Sequence, residues 1–163
     1  MRRYIEQQLL PKRTQAQKSK IVLLLKRNQR RSLTNHDEVL PLVQTLANKT
    51  KRKLIIFDDN QLPSLEETMT LFYRADVVIG VHGAGLANLL FSRQGTTLIE
   101  MNCKDDTAYM CYRVMCMQLG MRCFSTETTQ SNFTLRCNKS GVRVNVTELK
   151  GVLNYVAGYV QAL

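Results

Sequence analysis

Four short apolar runs punctuate the chain: Ile21–Leu25 (IVLLL), Lys53–Phe57 (KLIIF), Asp76–Gly80 (DVVIG) and Thr97–Met101 (TLIEM). Unbroken runs of this length suit strands buried on both faces, because a half-exposed strand alternates apolar with polar. Between them the period changes. From Asn35 or His36, the residues Val39, Leu42, Val43 and Leu46 recur at the spacing of one helix face. Ser64-Leu-Glu-Glu67 reads as a capping box opening a helix with Leu65, Met69 and Phe72 on one side. Further along, Leu86–Phe91 reads as a short helix, Ala108–Leu119 as a Met- and Cys-rich helix, and Arg122–Ser125 as a fifth strand. The polar stretch Thr126–Ser140 reads as a loop. Thr147 then caps a final helix through Leu149, Val152, Leu153, Val156 and Val160. The N-terminal segment Arg3–Gln17 has helical character that Pro11 interrupts.

Strands alternating with helices along the whole length predict an α/β fold, a Rossmann-like parallel sheet with helices on both faces. A chain of 163 residues fits one such domain, residues 1–163, with a core of its own. Right-handed crossovers gather the strand C-termini at one edge, where sheets of this kind bind their ligands.

Composition adds a compartment and narrows the partners. At 44% apolar and 22% charged residues the chain is globular in character. No apolar run approaches the roughly 20 residues of a membrane helix. The charged start MRRYIEQQLLPKR leads into no apolar segment, so no signal peptide is expected here. Any targeting segment or membrane anchor would lie outside these residues. The net charge of +10 is concentrated in the first third, from Arg2 and Arg3 to Arg52 and Lys53. Such a balance suggests nucleic acid first. These clusters, however, lack interleaved aromatics and match no recognition-helix pattern. No nucleic-acid partner is expected, and a solvated basic face accounts for most of the charge. Cys103, Cys111, Cys116, Cys123 and Cys137 form no CxxC pair and no zinc-ligand spacing, and their odd number leaves at least one thiol over. Four glycosylation sequons begin at Asn48, Asn132, Asn138 and Asn145. Sequons and disulfides together point to the lumen of the secretory pathway, endoplasmic reticulum or Golgi.

The candidate chemistry sits where two strands end. Val81-His-Gly-Ala-Gly85 follows the run Asp76–Gly80 and precedes the helix Leu86–Phe91. Gly83 and Gly85 let backbone amides approach an anion closely, and a helix start favours phosphate. His82 and, one turn on, Asn88 offer hydrogen bonds to a phosphate or a sugar hydroxyl. A tight turn whose glycines only relieve packing is the better explanation of an isolated G-A-G, and the dinucleotide fingerprint GxGxxG is not met. After the first strand, Lys26-Arg27-Asn-Gln-Arg30-Arg31 supplies guanidinium forks suited to phosphate oxygens. Two such elements on one edge favour a diphosphate pocket over either alone. Glu100, ending the strand after the glycine turn, is placed to accept from ribose or sugar hydroxyls, or from local donors. Asp58-Asp59 and Asp105-Asp106 are adjacent pairs, not the Asp-x-Asp of a metal site.

These residues resemble glycosyltransferase family 61, which includes EGF-domain-specific O-GlcNAc transferases, protein O-mannose N-acetylglucosaminyltransferases and plant xylosyl- and arabinosyltransferases. The shared block is His82-Gly83-Ala84-Gly85-Leu86, Asn88, Leu89-Leu90-Phe91, Gly95 and Leu98-Ile99-Glu100, supported by Arg27, Arg31, Leu33 and Asn35. The resemblance covers roughly residues 20–125. Ala87 and Thr68 depart from the Thr and Gln common in the family. What the resemblance implies is the C-terminal, donor-binding half of a two-domain GT-B enzyme, with the N-terminal half not represented. It implies inverting transfer from a nucleotide-diphosphate sugar, most often a UDP-sugar, to a protein or glycan hydroxyl. No metal or other cofactor is implied. Its implied donor-binding set is Arg27, Arg31, Asn35, His82, Gly83, Ala84, Gly85, Leu86, Asn88 and Glu100. No catalytic base is assigned, since the absent half can supply it. The alternative is a non-catalytic nucleotide- or glycan-binding module that keeps the pocket.

Overall fold

The computed structural model describes residues 20–103, 110–132 and 139–161. The expected helix Arg3–Gln17 lies outside them. In chain order the elements are β1 (Ile21–Lys26), α1 (His36–Lys49), β2 (Lys53–Asp58), α2 (Leu65–Arg74), β3 (Ala75–Val81), a 3-10 helix (Ala84–Phe91) and β4 (Thr97–Cys103). Then follow α3 (Cys111–Gln118), β5 (Arg122–Gln130), β6 (Val142–Val144) and α4 (Val146–Gln161). They build one α/β layer structure around a six-stranded sheet in the order β2-β1-β3-β4-β5-β6. Every pairing from β2 to β5 is parallel, and only β6 runs antiparallel to its neighbour.

The unbroken apolar runs are strands with a helix layer on each side. Val22 and Leu24 of β1 join the core under α1 and α4, where Val39, Val43, Leu149 and Val156 are fully buried. Ile21, Leu23 and Leu25 face the other layer, made by Phe72 of α2, Leu86 and Leu89 of the 3-10 helix and Cys116 of α3. Alternate side chains of one strand thus feed two cores. The capping box forms as the sequence implies: the Glu67 amide donates to Ser64 Oγ, and the Ser64 amide donates to the Glu67 carboxylate.

Strand order decides where a ligand fits. The chain leaves β1 through α1 to β2 on one side, then crosses to β3 on the other. The connections diverge between the carboxyl ends of β1 and β3. That divergence opens a crevice at the topological switch point.

Several details differ from the sequence reading. The helix after the glycine turn is 3-10 and starts at Ala84. Thr126–Ser140 is not all loop: β5 runs on to Gln130, with Thr126 and Thr128 buried at 1% exposure. Threonine suits a pleated strand through its branched Cβ, although its hydroxyl reads as polar. The three-residue β6 pairs with β5 through Thr128–Gln130 and was not foreseen. Residue 147 does not cap the last helix. Asn145 Oδ1 accepts from the amides of Thr147 and Glu148, and the helix starts at Val146.

Cys116 in α3 and Cys123 in β5 are joined in a disulfide, Cys103 is disulfide-bonded, and Cys111 is free and exposed. A loop this short constrains the unfolded chain by about 2 kcal/mol. The double variant Cys116→Ser/Cys123→Ser should lose at least that much in urea unfolding, with m equal to or slightly above wild type because the unfolded chain is released. No helix among the described residues is long and apolar enough to cross a membrane.

Candidate functional site

The segment 27–35 leaves β1 and crosses the carboxyl edge of the sheet. It is pinned at its far end: the Arg31 amide donates to the Ser140 carbonyl at 2.9 Å, the Thr34 amide donates to the Val142 carbonyl, and the Val142 amide donates to the Ser32 carbonyl. Its near end is also held. Asn28 Nδ2 donates to Asp58 Oδ1 at 2.5 Å and to Asp59 Oδ1 at 2.7 Å. The two aspartates therefore anchor the arginine segment, a role their adjacency in sequence does not reveal. Arg31 itself adopts a left-handed backbone, φ 58°, a conformation that costs a non-glycine residue about 1 kcal/mol.

Both arginines turn toward the glycine segment. Arg31 Nη1 donates to the His82 carbonyl at 3.1 Å, and Arg27 Nη1 reaches the same oxygen at 3.5 Å. A Cβ at residue 83 would collide with the Arg27 guanidinium, so Gly83 is what allows Arg27 to lie against the turn. Burial, then the neighbouring Arg31, lower the Arg27 pKa, while Asp59 and Tyr112 oppose that. Arginine stays charged through such a shift. Its Nε is buried with no hydrogen-bond partner.

His82 is the hub. Its main chain receives both guanidiniums, and its amide continues the ladder to Met101 at 3.0 Å. Its imidazole Nδ1 lies 2.6 Å from Glu100 Oε1, with both side chains buried. Glu100 thus sits in mid-strand of β4, 2% exposed, and engages His82. The Tyr112 ring, from the first turn of α3, packs at 5.0 Å from the His82 ring. Burial, then Cys111 and Glu100, raise the Tyr112 hydroxyl above its usual pKa, against Arg27 and Arg31. Tyr112 therefore remains a neutral O–H donor.

The other candidate residues divide into linings and supports. Gly83, Ala84 and Gly85 form the turn, and Leu86 N closes its first 3-10 bond to the Gly83 carbonyl at 2.9 Å. Amides ahead of that first bond have no intrahelical acceptor. Leu86 is fully buried and seats the turn in the core. Asn88 Nδ2 turns back to the Gly85 carbonyl at 3.1 Å. Asn35 is 3% exposed and bonds both ways with Val144, Nδ2 to its carbonyl and Oδ1 from its amide. It ties the start of α1 to β6.

Beside Arg27 a cavity of about 330 Å³ is lined by Arg27, Asn28, Ser32, Leu33, His36 and Val81. A larger one, about 460 Å³, opens at the opposite edge among Lys20, Arg52, Asp76, Arg93 and Arg122. There Asp76 is gripped by Arg52 at 2.6 Å and Arg93 at 2.8 Å, and Arg122 donates to the Gly95 carbonyl. Those arginines are engaged in holding the fold. The smaller cavity lies at the switch point, the edge at which sheets of this kind take their ligands.

Of the sequons, Asn48 lies in the last turn of α1, with the Thr50 hydroxyl buried against the Leu46 carbonyl. Asn132 and Asn145 are exposed, and Asn138 lies outside the described residues. Among the described residues no three His, Cys, Asp or Glu side chains gather as for a metal.

Residues 1–99 match the family model described as Glycosyltransferase 61. The EGF domain-specific O-linked N-acetylglucosamine transferase of Mus musculus is 28% identical over 94 residues, covering 57% of this chain and 18% of that protein. Its namesake in Drosophila melanogaster is 29% identical over 114 residues, 69% of this chain and 21% of that one. The alpha-1,3-arabinosyltransferase XAT3 of Oryza sativa subsp. japonica is 32% identical over 80 residues, 49% of this chain and 13% of that one. The chain spans about a fifth or less of the length of these relatives.

Proposed function

Because the chain belongs to the glycosyltransferase 61 family, we propose that it is the donor-binding part of a glycosyltransferase that uses a nucleotide-diphosphate sugar. The observation that carries this reading is the convergence of Arg27 and Arg31 on the His82 carbonyl, against Gly83, at the switch point. Two guanidiniums beside amides without intrahelical acceptors suit a diphosphate. The adjoining cavity of about 330 Å³ falls within the usual span of small-ligand sites, roughly 300–1,000 Å³, and takes the nucleoside.

UDP is the nucleotide we assign, and the partner half completes a GT-B cleft where a protein or glycan hydroxyl enters. The acceptor oxygen attacks the anomeric carbon from the face opposite the diphosphate. The bond from that carbon to the β-phosphate oxygen breaks, its electron pair leaves with the diphosphate, and configuration inverts. The hydroxyl proton goes to a base outside the residues named here. Arg27 and Arg31 stabilise the charge that grows on the leaving group, a task that other transferases give to a metal. The sequons and the disulfides fit work in the endoplasmic reticulum or Golgi lumen.

Thermal unfolding in EDTA tests the reading. UDP at about a hundred times its Kd should raise Tm by about 5 °C or more, whereas uridine and inorganic phosphate should not. Equal shifts with and without EDTA are expected. No shift with UDP, UDP-sugars or GDP-sugars would defeat it.

A further inference from the structure

The donor pocket as described leaves one polar group beside it unassigned. Tyr112 lies in the first turn of α3, half-buried, with its ring 5.0 Å from that of His82 and inclined at 54°. His82 cannot swing away, because Glu100 holds its Nδ1 at 2.6 Å. Nor can α3 drift, because Cys116 is buried in the core and bonded to Cys123 of β5. The tyrosine is therefore fixed against the turn, and its hydroxyl makes no hydrogen bond among the described residues. Burial, Cys111 and Glu100 raise the pKa of that hydroxyl and Arg27 and Arg31 lower it, so it is near enough to both guanidiniums to feel their charge. Arg27 presents a second unsatisfied donor, its buried Nε. The Arg27 Nε is a buried donor of a kind that is ordinarily satisfied, and Tyr112, being half-buried, leaves its hydroxyl open to a ligand at the same turn.

We propose that Tyr112 is a further donor-contacting residue whose phenol O–H bonds a diphosphate oxygen beside Arg27, while its ring stays packed on His82. This rests on the reading of the site as a nucleotide-diphosphate pocket. Packing on His82 needs only the ring, so a tyrosine here for packing alone is replaceable by phenylalanine. A hydroxyl bonded to an anion is not. The bond exists only with a ligand that carries phosphate, which makes the nucleoside a built-in control.

The test is calorimetric titration of wild type, Tyr112→Phe and Arg27→Ala with UDP, UMP and uridine, with Tm measured in parallel. Tyr112→Phe should keep its Tm and its uridine affinity, and should bind UDP about tenfold more weakly, as for one hydrogen bond to a charged group. Tyr112→Phe with wild-type UDP affinity would overturn the tyrosine's role and leave the pocket standing, provided that Arg27→Ala weakens UDP. Equal loss of UDP and uridine would also overturn it, since the ring and not the hydroxyl would then matter. A folded wild type indifferent to UDP would overturn the pocket and the proposal together.

Discussion

If the proposed donor site is right, Arg27→Ala should raise the Kd for UDP by about thirtyfold, and the Arg27→Ala/Arg31→Ala pair should abolish measurable binding. The estimate follows from removing a charge-assisted fork worth about 2 kcal/mol from a partly desolvated site. The native fold has little to lose, since among the described residues the hydrogen bond of Arg27 is one long contact, 3.5 Å, to the His82 carbonyl. Arg27 and Arg31 also repel one another: the neighbour is the second cause of the lowered Arg27 pKa, after burial. Tm of the apo protein should hold or rise slightly while affinity collapses. Arg27→Lys should recover a minor part of the binding, because an ammonium keeps the charge but not the planar fork. Calorimetry of the three variants with UDP measures this directly, and a Kd within threefold of wild type for the double variant would remove the arginines from the site.

Asp76→Ala acts on the opposite edge and on stability instead. Its carboxylate lies between Arg52 at 2.6 Å and Arg93 at 2.8 Å, and the Arg52 and Asp76 side chains are about one-tenth exposed. Truncation leaves the Arg52 guanidinium buried without this counter-charge, retaining, among the described residues, the bond to the Thr50 carbonyl. A buried charge left this way costs about 3 kcal/mol. Arg93 is a third exposed, so its own loss is screened and adds little. Urea unfolding should show the midpoint falling with m unchanged, and the loss should not depend on UDP. Asp76→Asn should lie between wild type and Asp76→Ala, since the amide oxygen still accepts.

The layers were legible because burial on two faces leaves a run with no polar interruption, as in IVLLL and VVIGV, and because a capping box is a local pattern. Ser64 and Glu67 need no partner beyond three residues. The pairing of Arg27 and Arg31 with the glycine turn was legible too, since both follow strands at one edge. What escaped the sequence depends on residues far apart in it. Asn35 gives no sign in the sequence that Val144, 109 positions on, bonds both ends of its amide. Glu100 reads as the end of a strand, yet β4 continues to Cys103 and the carboxylate turns to His82. β6 is only Val142–Val144, too short to show a period. Tyr112 had no signal of its own, because a tyrosine near a helix start is ordinary until the fold sets it against His82.

We propose that a nucleotide diphosphate lies on the His82–Gly85 turn under Arg27 and Arg31. A crystal structure of the chain grown with saturating UDP tests it most directly. The diphosphate should lie within hydrogen-bond distance of both guanidiniums, with the uridine in the cavity bordered by Ser32, Leu33 and His36 and Glu100 still on His82. UDP seated instead beside Arg52 and Arg93 at the opposite edge, or an empty turn at saturating UDP, would contradict it.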